Sequence, residues 1–367
     1  MNIGLLNAIS KGKSLKRTKE VKDRSAPMVK AGLDKKDIQK YLEDVQDTYV
    51  EEWEPLLASN GLTFRTAYAP MTKKEAECLV EAYRGFEKLP ESSKKGEKFD
   101  AFFTKISKDP VVKTMLSKLQ NQIDRCLKSF GCKKVFVKGS SRSAKDAVIM
   151  LKNMTEDFEQ RCIAAKKKEG KLSINDAVIS LLGAGKDAMS GTSAEYFLKL
   201  FVRSERIYQD MTLALDMKEF KSGWAIREWV DIDIGMEFRG FIHERKFCAL
   251  CQYDYLVKIE KLQDEKMRKK LVETMKEFYE QKVGPALHGK GSKFKSYVAD
   301  FALDNDGKCW IIELNPFQES TDGAMFSWAT EKKSLTSLPF DFRYQKNTQN
   351  ALVALSKEWR GICQAAM

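Results

Sequence analysis

Apolar and polar positions alternate with a helical period through the first third of the chain. In "DIQKYLEDVQDTYVEEWEPLL", Tyr41, Val45 and Tyr49 recur four apart, the spacing of one helix face. "TKKEAECLVEAYRGF" repeats the pattern as a second amphipathic helix, and "ESSKKGEKFD" reads as a charged loop. "DPVVKTMLSKLQNQIDRCLKSFG" predicts a third helix, with Pro110 at its start and Gly131 after its end. Beyond Gly131 the period changes. "KKVFVKGSS" is a short strand running into a loop of small residues, and a helix is predicted over "AKDAVIMLKNM". Residues 156–196 read as mixed helix and loop, most flexible at "LLGAGKDAMSGTS", and "AEYFLKLFVRSERIYQDMTLAL" reads as one helix. From Trp224 strands dominate: one in "WAIREWVDID", then two in "MEFRGFIHERKFCALCQYDY" joined at "HERK". A long helix covers "KIEKLQDEKMRKKLVETMKEFYEQKV", with Leu271, Met275, Phe278 and Tyr279 on one face. A hairpin around "DNDG" follows, and "NTQNALVALSKEWRGICQAAM" closes with a helix.

This order predicts an α+β chain of two lobes with additional N-terminal helices, and a ligand cleft is expected between such lobes. The expected division is a weakly ordered basic leader over 1–36, a helical region over 37–130, a first lobe with an insertion over 131–222, a second lobe carrying the hairpin over 223–345, and a C-terminal helix over 346–367.

Composition narrows the classes. Hydrophobic residues at 43% and charged residues at 32% are the balance of a soluble globular protein. No run approaches the roughly 18 apolar residues that span a bilayer. A net charge of +12 favours acidic partners, but the basic "KGKSLKRTKEVKDR" carries no interleaved aromatics for base stacking, so nucleic-acid binding rests on charge alone. The eight cysteines lack regular spacing, which points to a reducing compartment, the cytosol or the nucleus, and a cytoplasmic location is expected. Cys248 and Cys251 form a CxxC without a second pair, and a zinc site would need four ligands. His243 and His288 are the only histidines; both read as surface residues and support neither a His-based triad nor a His-rich metal site.

Three stretches carry candidate chemistry. In "SYVADFALDNDGKCWIIELNPF", strand alternation places Asp300, Ala302 and Asp304 together, and Cys309, Ile311, Glu313 and Asn315 together. A four-residue loop, Asn305 to Lys308, puts Asp300 opposite Glu313; an odd loop without a bulge separates them. Two carboxylates and an amide on one face form a hard-oxygen set suited to Mg2+, whose other ligands would be water and substrate phosphates. The alternative is a hairpin with incidental surface acids. In "VFVKGSSRSAKDAV", Lys138 ends a strand before Ser140 and Ser141, which could form an anion nest, or an ordinary turn with a solvated lysine. It lacks the P-loop spacing. In "IREWVDIDIGMEFRGF", Glu237 and Arg239 share a strand face; Arg239 could grip phosphate, or the pair could be an exposed ion pair. The preceding "REWVDID" could offer backbone amides to an adenine edge, with Asp233 or Asp231 toward a ribose. Together the three stretches look like a nucleotide site.

The order of these motifs resembles the ATP-grasp superfamily, in which an acid precedes an acid-x-Asn by thirteen residues, matched here by Asp300 and Glu313-Leu314-Asn315. Within it, "REWVDIDIGMEFRGF" and "GKCWIIELNPFQESTDGAMFSW" resemble the cell division cycle protein 123 family, as do "FVKGSSRSAKDA" and "LFVRSERIYQDM" more loosely; the likeness covers residues 130–330 and is that of a divergent member. The resemblance implies an ATP-grasp fold, binding of ATP with Mg2+, and assistance to assembly of translation initiation factor two through its gamma subunit. It implies that Lys138, beside Ser140 and Ser141, contacts phosphates. Arg227, Glu228, Trp229 and Val230 would hold adenine, and Asp233 is a candidate for the ribose. Arg239, with Glu237 on its face, would reach phosphate, and Asp300, Glu313 and Asn315 would hold Mg2+. This chain departs from the family pattern at Ser140-Ser141-Arg142, at Glu313 and at Tyr253. Catalysis stays open: an ATP-grasp ligase or a phosphoryl or nucleotidyl transferase acting on a carboxylate or a protein is the alternative.

Overall fold

The computed structural model describes residues 43–348 and 351–367. The chain forms two compact units. One comprises the described residues up to Leu62 with Gly235–Gln364, the other Thr63–Ile234 with Ala365–Met367. The basic leader and Tyr41 lie outside the described residues.

The Thr63–Ile234 unit has a four-stranded sheet in the order β1 (Thr66–Pro70), β4 (Gly223–Glu228), β2 (Val135–Gly139), β3 (Ser190–Gly191), antiparallel throughout. The strand in "WAIREWVDID", read from sequence with the second lobe, is therefore the centre of this sheet. All six β4 residues are buried, and Trp224 stacks on Phe201 at 4.3 Å. Helix α2 (Lys73–Glu87) starts where expected, because Thr72 and Glu75 form a reciprocal capping box. The charged stretch after it is not all loop: Gly96, at φ 60°, opens α3 (Gly96–Ile106), whose Phe99 and Phe103 are buried. In α4 (Pro110–Phe130), Asp109 caps the first turn and left-handed Gly131 ends the last.

The helix expected over "AKDAVIMLKNM" is replaced by turns and a single 3-10 turn, and the regular helix, α5 (Lys152–Glu169), begins only at Lys152. "LLGAGKD" is not a loop either. It completes α6 (Ile174–Asp187), where a Cβ at Gly183 would lie 2.8 Å from the Arg161 guanidinium of α5. The small residues serve close helix packing, which their composition alone had suggested as flexibility. The single helix expected over 194–215 is two, α7 (Ala194–Arg203) and α8 (Glu205–Asp216). Ser204 divides them: its hydroxyl caps Ile207 N–H at 3.2 Å and donates to Asp146 at 2.6 Å.

The other unit is built on a five-stranded sheet in the order β8 (Cys309–Pro316), β7 (Tyr297–Leu303), β5 (Glu237–His243), β6 (Lys246–Gln252), β9 (Asp341–Arg343). Only the β6–β9 pair is parallel. Glu244 and Arg245 both take positive φ, forming the two-residue turn expected at "HERK". Helix α1 (Val50–Ala58) belongs to this unit, and Leu271, Met275 and Phe278 of α9 (Glu265–Phe278) are buried. The last turn of that long helix widens into a π segment, Tyr279–Val283, leading to α10 (Gly284–Leu287). A second core on this sheet joins Phe241, Ala249, Cys251, Val298, Phe326 and Leu335. The neighbouring short helix is α11 (Lys332–Thr336); the C-terminal helix is two, α12 (Ala351–Ala354) and α13 (Lys357–Ala366).

Neither histidine is simply a surface residue. His288 is half-buried, its Nε2 3.2 Å from Tyr297 Oη, and burial lowers its pKa; His243 packs on Phe317. Among the described residues, no helix is long and apolar enough to cross a membrane.

Candidate functional site

The hairpin reaches the pairing the sequence asked for by another route. The turn holds five residues, Asp304 to Lys308, tightened by Asp304 Oδ1 accepting from the N–H groups of Asp306 and Lys308 at 3.0 and 2.8 Å. That odd count would place Asp300 and Glu313 on opposite faces. A bulge in the ladder, between the Asp300 and Phe301 pairings, adds one residue to β8 and restores the match: Phe301 pairs with Ile311, but Asp300 with Glu313. Cys309 and Ile311 therefore do not share the face of Glu313 and Asn315. Asp304 also leaves the set, its other oxygen accepting from Trp310 Nε1 at 2.8 Å.

On the other side of β7, Arg239 of β5 pairs with Asp300. Arg239, Asp300 and Glu313 thus form one row across three strands, with Asn315 beside them. The Arg239–Asp300 contact is a bidentate ion pair: Nε donates to Oδ1 and Nη2 to Oδ2, both at 2.8 Å. Nη1 donates to the Asp322 carbonyl at 2.7 Å, and the guanidinium lies 4.9 Å from the centre of the Tyr253 ring. Asn315 Nδ2 donates to Asp300 Oδ2 at 3.3 Å. Arg239 is only 6% exposed and Asp300 3%, so this is not an exposed ion-paired face.

Burial by itself would lower the Arg239 pKa, but the charge and hydrogen bonds of Asp300 outweigh it and hold the pKa well above the ordinary value. Burial pushes the Asp300 carboxyl upward against the pull of Arg239, with the charges of Glu313 and Glu237 adding to the push. Burial likewise keeps the Tyr253 phenol protonated. Tyr253 and Asp322 went unassigned in the sequence reading, although "QESTDG" held Asp322 within the quoted resemblance.

The donor set fits a hard cation: two carboxylates and an amide within one sheet face. Among the described residues, no group of three or more His, Cys, Asp or Glu is arranged as a metal cage. A Mg2+ ion here would therefore need further oxygen ligands from water or phosphate.

The remaining candidates lie in the Thr63–Ile234 unit. Lys138 ends β2 almost fully buried, its Nζ donating to Ser141 O at 3.1 Å. The two serines are engaged within the protein: Ser140 Oγ accepts from Gly223 N–H at 2.9 Å, and Ser141 Oγ donates to Asp210, which Arg142 also grips. Arg227 is 1% exposed and donates to Thr63 at 2.8 Å and Thr66 at 3.2 Å. Glu228 accepts from the Arg65 backbone at 2.8 Å and its side chain at 2.7 Å. Both side chains tie β4 to the chain around β1. The Glu228 and Trp229 amides are bonded to Arg65 and Lys134, while among the described residues Val230 N–H has no partner. Lys186 of α6 donates to Ile232 O at 2.9 Å.

Residues 186–359 match the family model described as D123. The segment contains the Arg239–Asp300–Glu313 row, Asn315, Tyr253, Asp322 and Lys186. This segment is similar to proteins of the cell division cycle protein 123 family. Over 117 residues it is 28% identical to a Xenopus laevis protein named "Translation initiation factor eIF2 assembly protein", covering 32% of each chain. Over 160 residues it is 28% identical to the Schizosaccharomyces pombe protein of the same name, covering 40% of this chain and 46% of that one. The matches thus span between a third and a half of those relatives' length. The solved structure of Cdc123 from Schizosaccharomyces pombe shares the fold, with a TM-score of 0.54 at 19% identity, covering 83% of this chain and 98% of that one. Where this chain departs from the expected pattern, at Glu313 and the Ser140-Ser141-Arg142 run, it keeps a carboxylate and the lysine that precedes the run.

Proposed function

We propose that this chain binds ATP with Mg2+ and assists assembly of translation initiation factor two in the cytoplasm, acting on its gamma subunit. The observation that carries the nucleotide part is the row Arg239–Asp300–Glu313 with Asn315, three oxygen donors beside a guanidinium on one sheet face, its Arg239–Asp300 pair buried. Asp300, Glu313 and Asn315 would hold the ion, which supplies positive charge to the phosphate tail. Arg239 and Lys138 are the candidate cations for phosphate, and Val230 N–H is the backbone donor available to a base edge. The assembly part is supported by the names of the relatives that match part of this chain.

The test is a pull-down from cell extract with the tagged full chain, with and without Mg2+ and ATP. The expected result is recovery of initiation factor two with the gamma subunit in direct contact, and its loss with Asp300→Ala. Recovery of no initiation factor subunit, with ADP or AMP released only when an acceptor is added, would overturn the assembly role in favour of an ATP-grasp enzyme.

A further inference from the structure

The bonds that hold Asp300 also fill most of its acceptor positions. Oδ1 accepts from Arg239 at 2.8 Å, and Oδ2 accepts from Arg239 at 2.8 Å and from Asn315. Of the roughly four lone-pair positions of a carboxylate three are thus taken, and a divalent cation that uses more than one must displace a donor. Arg239 is the cation paired with Asp300, and Glu313 and Glu237 lie near enough to act on the Asp300 carboxyl. A buried carboxylate without a counter-charge is costly, so some cation must stand there at all times. The guanidinium is held on further sides by the Asp322 carbonyl and the Tyr253 ring.

We propose that Arg239 is a stand-in cation that must release Asp300 before the metal is held, and that a triphosphate provides the alternative partner that draws it away. Metal binding is then conditional on nucleotide. This deepens the nucleotide reading above and rests on it. The chemistry is an exchange of partners: Asp300 passes from guanidinium to metal, and Arg239 passes from carboxylate to phosphate, so neither buried charge is left alone. Arginine suits both ends of the exchange, since its fork matches carboxylate and phosphate alike. The arrangement would keep free divalent ions from occupying the row when no nucleotide is present.

The experiment uses the full chain and Mn2+ as the probe, by titration calorimetry, alone and with a non-hydrolysable ATP analogue. The wild-type protein is expected to bind Mn2+ weakly alone and tightly with the analogue. Arg239→Gln is expected to bind Mn2+ alone about tenfold or more tighter than wild type, and to lose affinity for the analogue. Because Arg239→Gln removes the counter-charge of a buried carboxylate, Arg239→Lys is measured beside it. Lysine keeps the charge without the fork and should fall between the two. Melting supplies a second readout: Mn2+ alone should raise the midpoint of Arg239→Gln and leave wild type unmoved. Equal Mn2+ affinity and equal melting shifts in wild type and both variants, with analogue binding intact, would overturn the exchange and leave the nucleotide site standing. A wild-type chain that binds neither the analogue nor Mn2+ in its presence would overturn the nucleotide reading itself.

Discussion

The two carboxylates of the row differ in what their removal costs. Asp300→Asn leaves Arg239 buried without its partner and is expected to destabilise the fold by about 3–5 kcal/mol. Glu313 is half-buried, and the bidentate partner of Arg239 is Asp300. Glu313→Gln should therefore change stability by less than about 1 kcal/mol while weakening metal-dependent ATP binding. Denaturant unfolding and nucleotide titration of both variants check this split; equal loss of stability in the two would contradict it. At this scale strand alternation placed Asp300, Glu313 and Asn315 on one face, and Arg239 with Glu237 on a face of another strand, because alternation depends only on neighbours along each strand. It could not show that Arg239 holds Asp300 at both oxygens, since β5 and β7 are far apart in the chain and their register is a tertiary fact. Tyr253 was noted only as a departure from the family pattern, and its place under the guanidinium needs the β5–β6 pairing.

At the scale of elements, capping chemistry was the most legible. Thr72 with Glu75 and Asp109 with Pro110 set the helix starts through local bonds that depend on nearest neighbours. Glu75 also makes a contact the sequence does not reveal, accepting from Lys118 Nζ at 2.7 and 2.9 Å. Burial alone would raise its pKa; the bonds from Lys118 and Thr72 outweigh that and hold it below the ordinary 4.5. A depressed carboxyl contributes stability above its unfolded pKa and loses it as pH falls through the folded one. Glu75→Gln is thus expected to be less stable than wild type at pH 7, with the gap closing as pH drops below 4.5. Melting midpoints across that window measure it, and a gap that persists in acid would count against the ion pair. On β5, a Cβ at Gly240 would lie 2.6 Å from Phe301 and 2.8 Å from Phe247, whose rings stack at 5.3 Å. Gly240→Ala overpacks that stack and should cost about 1–3 kcal/mol, read from the denaturant midpoint. The hairpin was the instructive case: its loop is odd, and the bulge that an odd loop requires is present, so Asp300 still meets Glu313.

For the whole molecule, a ligand that binds only the folded chain stabilises it by mass action, by about 2.7 kcal/mol at a hundred times its dissociation constant. Mg2+ with ATP is expected to raise the melting midpoint by a few degrees, a chelator to abolish the rise, and Asp300→Ala never to show it. Scanning fluorimetry tests all three, and an equal shift with ATP in chelator would remove the metal from the account. The fold class was readable because periodicities of 3.6 and 2 do not depend on distant contacts. The partition of strands was not. β4 follows a helical region and precedes β5 in sequence, yet it completes the sheet with β1 and β2, while α1 belongs with the other unit.

The sequence by itself determined the helix caps, the strand alternation and the residue types of the carboxylate row, because each is governed by neighbours within a few positions. The tertiary structure alone decided which strands share a sheet, that a bulge rescues the Asp300–Glu313 register, and that Arg239 holds Asp300 by both oxygens. Those outcomes depend on burial and on pairing between segments remote in the chain, and the preference of any one segment leaves them open.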